Sequence, residues 1–75
     1  MAENEAGFEL AYLIKLKFTR IQRGITPDEA GKIIGKSKNT YIKKESGEID
    51  FKFQELLDIS RRLNISLNSL VRNEY

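Results

Sequence analysis

Apolar residues near the amino end of the chain recur at helical spacing and fall into two stripes. The first consists of Leu10, Ile14, Phe18 and Ile21, and the second of Leu13 and Leu16. This pattern predicts an α-helix over residues 8–22 and leaves residues 1–7 as a flexible amino-terminal tail. Two stripes present more apolar surface than one small core can bury. We therefore expect the first stripe to contact a second subunit or protein partner, or to be partly exposed.

A pair of short helices follows, joined by a very tight turn. Gly24 suits the left-handed conformation that ends the first helix, and Thr26 is a good N-cap for the second. Gly35 limits the second helix to residues 27–34. Ser37 is then a fresh N-cap for a third helix that ends at residue 44 or 45.

Two more helices are predicted in the last third of the chain. The inward face of the fourth is expected to consist of Phe53, Leu56, Leu57, Ser60 and Leu63, with Ile59 beside it. Asn64 ends that helix, and Ser66 caps a short fifth helix. No strand is predicted, so the fold class is all-α: a compact five-helix bundle in a single domain over residues 8–75.

The composition excludes several classes of function. The 75 residues suffice for one small domain, and neither cysteine nor histidine occurs. Disulfides, zinc sites with Cys or His ligands, and catalytic arrangements built on these residues are therefore excluded. We expect no enzyme activity, no cofactor and no metal.

The amino-terminal residues do not resemble an export signal. Residues 1–7 are acidic, and the longest apolar run, residues 10–14, is far shorter than the ~20 residues that cross a bilayer. We therefore expect a cytoplasmic protein with no membrane span.

The charges are unevenly distributed along the chain, although the net charge is only +2. Residues 15–44 contain nine basic and two acidic residues, a net charge of +7, and the rest of the chain has a net charge of −5. One surface of the domain should then attract polyanions, unless the cations simply form a solvated face. The positions of the basic residues decide between these two interpretations.

Residues 26–45 have the pattern of a DNA-reading helix-turn-helix: a short helix, a glycine-bearing turn and a second helix with a polar, basic start. Short side chains at a helix start can approach base edges in the major groove, and long cationic ones can reach guanine or phosphate. Both kinds occur here, at Lys36, Ser37, Lys38, Asn39, Thr40 and Lys43. Asn39 and Thr40 could instead serve only to cap the first turn.

The chain resembles the phage-repressor (Xre/Cro) type of helix-turn-helix domain over about residues 13–71, because five segments occur in the order typical of that family. They are residues 20–26 (RIQRGIT), 33–41 (IIGKSKNTY), 44–47 (KESG), 53–59 (FQELLDI) and 63–70 (LNISLNSL). The resemblance implies a lambda-repressor-like fold that binds DNA.

The resemblance also implies roles for individual residues of the third helix and its neighbours. Tyr41 should pack inward, and Arg20 and Glu45 should form a partly buried, structural ion pair between the first and third helices. The side chains expected to face the major groove are Lys38, Asn39, Ile42 and Lys43.

Several positions depart from the family pattern. Pro27 stands where a Gln often opens the second helix and bonds a phosphate, so that contact is lost. Gly31 stands where a small Ala is usual, and Lys36 and Lys44 occupy positions that are often apolar.

Two functions from different classes are consistent with the sequence. The first is sequence-specific binding of double-stranded DNA by a homodimeric transcription regulator, with the helix at about residues 37–45 in the major groove. The alternative is a protein-interaction module, such as an antitoxin or adaptor, which the apolar stripe and Pro27 favour. Residues 30–37 also match a permissive phosphate-loop pattern, but they follow a helix start rather than a buried strand, so we reject nucleotide hydrolysis.

Overall fold

Five α-helices make up the fold of this computed structural model, which describes the backbone of residues 2–71 and the side chains of residues 11–70. The helices are α1 (Ala2–Gln22), α2 (Pro27–Ile33), α3 (Lys38–Glu45), α4 (Phe53–Leu63) and α5 (Leu67–Val71). No strand occurs in the described residues. The prediction of an all-α fold with five helices is confirmed.

The first helix is longer than the sequence pattern predicted. Its backbone is helical from Ala2, so the predicted start at Phe8 was wrong by six residues. Residues 2–7 lack large aliphatic side chains, and the apolar periodicity from which the start was predicted begins only after them. The flexibility of residues 1–7 and the single domain over residues 8–75 stay predictions.

The predicted caps fix the remaining helix boundaries. The Thr26 hydroxyl accepts a hydrogen bond from the backbone N–H of Glu29, and the Glu29 carboxylate reaches back to Thr26, which completes a capping box at the start of α2. Ser37 caps α3 in a similar way. Gly35 has φ of 72° and Asn64 has φ of 58°, so both adopt the left-handed conformation expected of residues that end a helix.

The core lies where all five helices meet. Its fully or nearly fully buried apolar residues are Leu16, Ile25, Ala30, Ile34, Tyr41, Ile59, Leu63 and Leu70. The prediction that Phe53 faces inward was wrong, because Phe53 is 68% exposed, whereas Ile59 is completely buried instead of lying beside the core face. Phe51, in the loop before α4, packs against the core in its place and lies edge-on to Tyr41.

The turn between α2 and α3 passes very close to Gly31. The Gly31 carbonyl accepts the Lys36 backbone N–H at 2.8 Å. A Cβ atom at position 31 would lie 2.8 Å from the Lys36 carbonyl oxygen and 3.0 Å from that of Ser37. Because both neighbours are backbone atoms, Gly31 is what allows this tight crossing. The turn in this way fixes where α3 begins relative to α2.

Candidate nucleic-acid interface

The start and outer face of α3 are open to solvent. Lys36, Ser37, Lys38, Asn39 and Lys43 are exposed. Ile42 is also exposed, over 42% of its surface. Helical spacing places residues 38, 39, 42 and 43 on one face, so the structure brings together the side chains that were expected to face the groove.

Thr40 differs from the other predicted contact residues because it is only partly exposed. Its backbone N–H donates to the Ser37 hydroxyl oxygen at 3.2 Å, and the Ser37 hydroxyl lies 3.0 Å from the Thr40 hydroxyl oxygen. The first of these bonds satisfies a backbone N–H of the first turn of α3, and the second joins the two side chains. The capping interpretation therefore applies to Ser37 and Thr40, while the Asn39 side chain takes no part in this cap.

The inner face of α3 is held by an ion pair to α1. The Arg20 guanidinium donates to both carboxylate oxygens of Glu45, from Nε at 2.9 Å and from Nη2 at 3.1 Å, and Nη1 donates to the Ile25 carbonyl at 2.7 Å. Only about a tenth of either side chain is exposed. The hydrogen bond to Glu45 outweighs burial and raises the pKa of Arg20. The guanidinium therefore joins α1, the turn before α2, and α3.

Tyr41 belongs to the same buried network. Its hydroxyl donates to Glu45 Oε2 at 2.7 Å, and its ring is completely buried. Burial and the neighbouring Glu45 carboxylate raise the pKa of the Tyr41 hydroxyl, so it stays neutral and remains a donor.

A second buried ion pair, between Lys44 and Glu55, joins α3 to α4. The two charged groups lie 2.8 Å apart, each side chain is 7% exposed, and the Lys44 ammonium also donates to the Asp50 carbonyl at 2.9 Å. Burial raises the pKa of Glu55, but the bonds from Lys44 and from the Lys52 backbone N–H outweigh it, so the pKa lies below its ordinary value.

The pair of Lys44 and Glu55 was not predicted from the sequence, although a signal for it was present. Lys44 follows Tyr41 by three residues, and Glu55 precedes Ile59 by four, so both share a helix face with a buried residue. Because lysine is almost never fully buried unless paired, the position of Lys44 already indicated a carboxylate partner.

The nine cations of residues 15–44 do not form one surface. Arg20 and Lys44 are buried in their ion pairs, and the Lys15 ammonium donates to the Ser69 carbonyl near α5. In the described part of the chain, no carboxylate pairs with Lys36, Lys38 or Lys43, which leaves these three free to bind an anion. The positive charge beside α3 is therefore smaller than the net +7 of the segment, and it comes from two lysines near the helix start and one in the last turn.

The apolar stripe of α1 lies outside the core. Ile14, Phe18 and Ile21 are each more than half exposed, whereas Leu13 and Leu16 of the second stripe are buried. The expectation that part of the first stripe is exposed thus holds for these three residues within a single chain. The side chain of Leu10, the fourth predicted member, lies outside the described residues.

A shallow pocket of about 340 Å³ lies between α1 and the loop before α4, lined in part by Tyr12, Ile49 and Phe51. Lys44 also lines it, but the Lys44 ammonium is already bonded to Glu55 and Asp50. Among the side chains described, no group of three or more acidic residues converges to hold a metal ion. No helix in the described residues is long and apolar enough to cross a membrane.

Comparison with known proteins identifies the family. A family model described as helix-turn-helix, of the Xre/Cro-like kind, matches residues 16–70, well over half of the chain. No curated protein and no solved structure matches the chain. The matched residues run from the second stripe of α1 to the last buried residue of α5, and they include α2, the tight turn and α3. The chain therefore belongs to the Xre/Cro-like helix-turn-helix family, a family of DNA-binding transcription regulators.

Proposed function

We propose that this chain regulates transcription by binding a specific sequence of double-stranded DNA, as a homodimer, with the helix over residues 37–45 in the major groove. The observation that carries this proposal is the division of α3 into two faces. Lys38, Asn39, Ile42 and Lys43 point to solvent, while Tyr41 and the two buried ion pairs hold the opposite face.

The exposed side chains match what bases and phosphates present. The Asn39 amide can donate to and accept from the major-groove edge of adenine, and the Lys38 ammonium can reach the O6 and N7 acceptors of guanine. Ile42 can contact the methyl group of thymine. Lys36 and Lys43 flank these residues and are suited to phosphate, which positions the helix without reading sequence. Ser37 and Thr40 contribute through the cap that keeps the first turn helical.

The dimer in this proposal follows from the geometry of DNA. A single α3 reads only a few base pairs, whereas two copies related by a two-fold axis read half-sites about 34 Å apart. The proposed site is therefore palindromic or nearly so. A cytoplasmic location and the absence of catalysis remain predictions that accord with this function.

The experiment begins with selection of bound duplexes from a random library, followed by fluorescence anisotropy on the selected site. The double variant Lys38→Ala/Asn39→Ala should lose the preference for that site over a scrambled duplex and keep its circular dichroism spectrum. Binding by the unaltered chain should weaken as salt rises, because phosphate contacts release counterions.

A matched control removes a lysine and a side-chain amide elsewhere on the surface. Lys52→Ala/Gln54→Ala removes an exposed lysine and an exposed amide at the start of α4 and should leave site preference unchanged. If the α3 variant kept full selectivity, or if the control variant lost as much, α3 would not be the reading helix. Binding that did not depend on salt would contradict the phosphate contacts.

The second candidate function is that of a protein-interaction module, such as an antitoxin or adaptor. The observations that favour it are the exposed stripe of Ile14, Phe18 and Ile21 and the presence of Pro27 at the start of α2. Size-exclusion chromatography of the chain with a candidate partner, compared with its DNA affinity, separates the two functions. A stable complex with a protein, without any DNA binding, would favour this second candidate.

A further inference from the structure

Three large apolar side chains of α1 project into solvent on the side of the helix that faces away from the core. Ile14, Phe18 and Ile21 expose 59%, 64% and 56% of their surface. Within residues 11–70, no helix or loop covers them. We propose that this stripe binds the same stripe of a second copy, with the two α1 helices antiparallel.

The spacing of the stripe suits a two-fold axis at Ile14. In an antiparallel pair centred there, the residue four positions before Ile14 meets the residue four positions after it, so position 10 faces Phe18. By the same rule position 7, a glycine, faces Ile21. A two-fold interface must be self-complementary, and here an apolar position meets an aromatic ring while the smallest residue meets a branched one.

The charges along α1 favour the antiparallel orientation. The acidic residues of this segment all precede the stripe centre, and the basic residues all follow it. The acidic residues are Glu3, Glu5 and Glu9. Arg20 is buried in its pair with Glu45, so the basic residues left to meet a second copy are Lys15, Lys17 and, just past the end of α1, Arg23. Antiparallel pairing brings unlike halves together, whereas parallel pairing brings like halves together. The helix dipoles also align favourably when the helices run in opposite directions.

The same charge division disfavours other occupants of the stripe. An anionic membrane surface would attract the second half of α1 and repel the first half. A partner helix of a single charge sign would meet the same conflict. A second copy of α1 carries both halves in reverse order, so it avoids this conflict.

The expected association is weak in the free protein. A stable interface buries about 800 Å² on each partner, which three partly exposed side chains do not reach by themselves. Two half-sites on one duplex would hold the copies together and raise their effective concentration. In that respect the inference rests on the dimeric regulator proposed above and names the surface through which it forms.

Sedimentation equilibrium at chain concentrations up to about 1 mM tests the interface, since this range spans weak complexes. Phe18→Asp should weaken self-association at least tenfold. The matched control is Phe53→Asp, because Phe53 is an equally exposed phenylalanine, on α4 instead of α1. This control should self-associate as the unaltered chain does, and circular dichroism should show both variants folded.

Disulfide trapping tests the antiparallel orientation of the two α1 helices. The chain has no cysteine, so no native thiol can form a competing disulfide. Seven helical residues span about 10.5 Å, so two copies of position 21 in the antiparallel pair lie about 21 Å apart, too far for a disulfide. Ile14→Cys should therefore cross-link to itself. Ile21→Cys should not, but it should cross-link to Gly7→Cys when the two variants are mixed.

Four results would contradict the proposed α1 interface. A chain that stays monomeric at every concentration, an Ile21→Cys variant that cross-links to itself, or a Phe53→Asp variant that dissociates as much as Phe18→Asp would each overturn this interface. Stripe-dependent binding of a monomer to anionic vesicles would overturn it too.

If the chain bound its site as two independent monomers, the proposed interface would be wrong and the proposal of DNA binding would stand. If it dimerised through α1 but bound no duplex, the DNA proposal would fail and the interface would stand.

Discussion

The two faces of α3 are built from similar residues but differ in what surrounds them. Lys43 and Lys44 are neighbours in sequence, yet Lys43 is exposed and pairs with no carboxylate in the described residues, while Lys44 is 7% exposed and bound to Glu55. One residue turns a helix by about 100°, and that rotation decides which lysine can meet DNA. The comparison shows that the count of cations in a segment overstates the charge available for binding.

The inner face also explains how α3 can be rigid although it has only eight residues. Arg20 anchors it to α1 through Glu45, and Glu55 anchors it to α4 through Lys44. Within residues 11–70, every buried side-chain nitrogen or oxygen has a hydrogen-bond partner. Anchors of this kind cost much when one partner is removed, because the other charge is left buried and alone. Substitutions on the inner face should therefore affect stability, and those on the outer face should affect DNA binding.

The largest expected effect follows from breaking the inner face with Arg20→Met. The substitution keeps a long side chain but leaves the Glu45 carboxylate and the Ile25 carbonyl without the guanidinium. We expect the free energy of unfolding to fall by about 3–5 kcal/mol. Chemical denaturation followed by circular dichroism measures this loss.

The control for Arg20→Met is Lys32→Met, which breaks an ion pair on the surface. Lys32 lies 3.9 Å from Asp28, and both side chains are largely exposed, so its loss should change the free energy of unfolding by less than about 0.5 kcal/mol. Equal losses in the two variants would contradict the distinction between buried and exposed pairs.

A smaller effect is expected where the turn passes Gly31. Gly31→Ala places a methyl group against the Lys36 and Ser37 carbonyls, which cannot move without shifting the start of α3. We expect a loss of about 1–3 kcal/mol in the free energy of unfolding, together with weaker DNA binding. Helix propensity alone predicts the opposite sign, a gain of up to about 1 kcal/mol. If Gly31→Ala were more stable than the unaltered chain, the backbone of the turn would have room for a methyl group at position 31, which would contradict the close packing described here.

A still smaller effect is expected from acid, since a protonated Glu55 still fills its place beside Lys44. The folded pKa of Glu55 is lowered, so its stabilisation is complete above its ordinary pKa of 4.5 and is lost as pH falls through the folded pKa. Glu55→Gln lacks this titration. The stability gap between the unaltered chain and Glu55→Gln should be constant at neutral pH and should shrink as pH falls below about 4.5. A gap that stayed constant in acid would contradict the ion pair.

Most of the fold could be predicted from the sequence because local signals decide it. Thr26, Ser37 and Asn64 each act within one or two turns of the chain, and each takes the capping role expected of its residue type. The outer face of α3 could be predicted for the same reason, since helical spacing and exposure follow from a few neighbouring positions.

The remaining features depend on contacts between segments distant in sequence. Phe51 and Phe53 are equally apolar, and only the path of the loop before α4 determines that Phe51 meets Tyr41 while Phe53 faces solvent. The Lys44 and Glu55 pair spans eleven residues and two helices. No local pattern fixes such a pairing, although the shared helix faces indicated that Lys44 would need a carboxylate.

The smallest effect on the fold is expected from Lys43→Ala on the outer face of α3. Because Lys43 is exposed and unpaired in the described residues, the free energy of unfolding should change by less than about 0.5 kcal/mol. Its proposed contact is a phosphate, so affinity should fall by a similar factor for the selected site and for a scrambled duplex. The slope of log affinity against log salt should decrease by about one. Anisotropy titrations at several salt concentrations measure both quantities, with Lys52→Ala as the exposed lysine that should change neither. A loss confined to the selected site would mean that Lys43 reads a base, and α3 would then lie deeper in the groove than proposed.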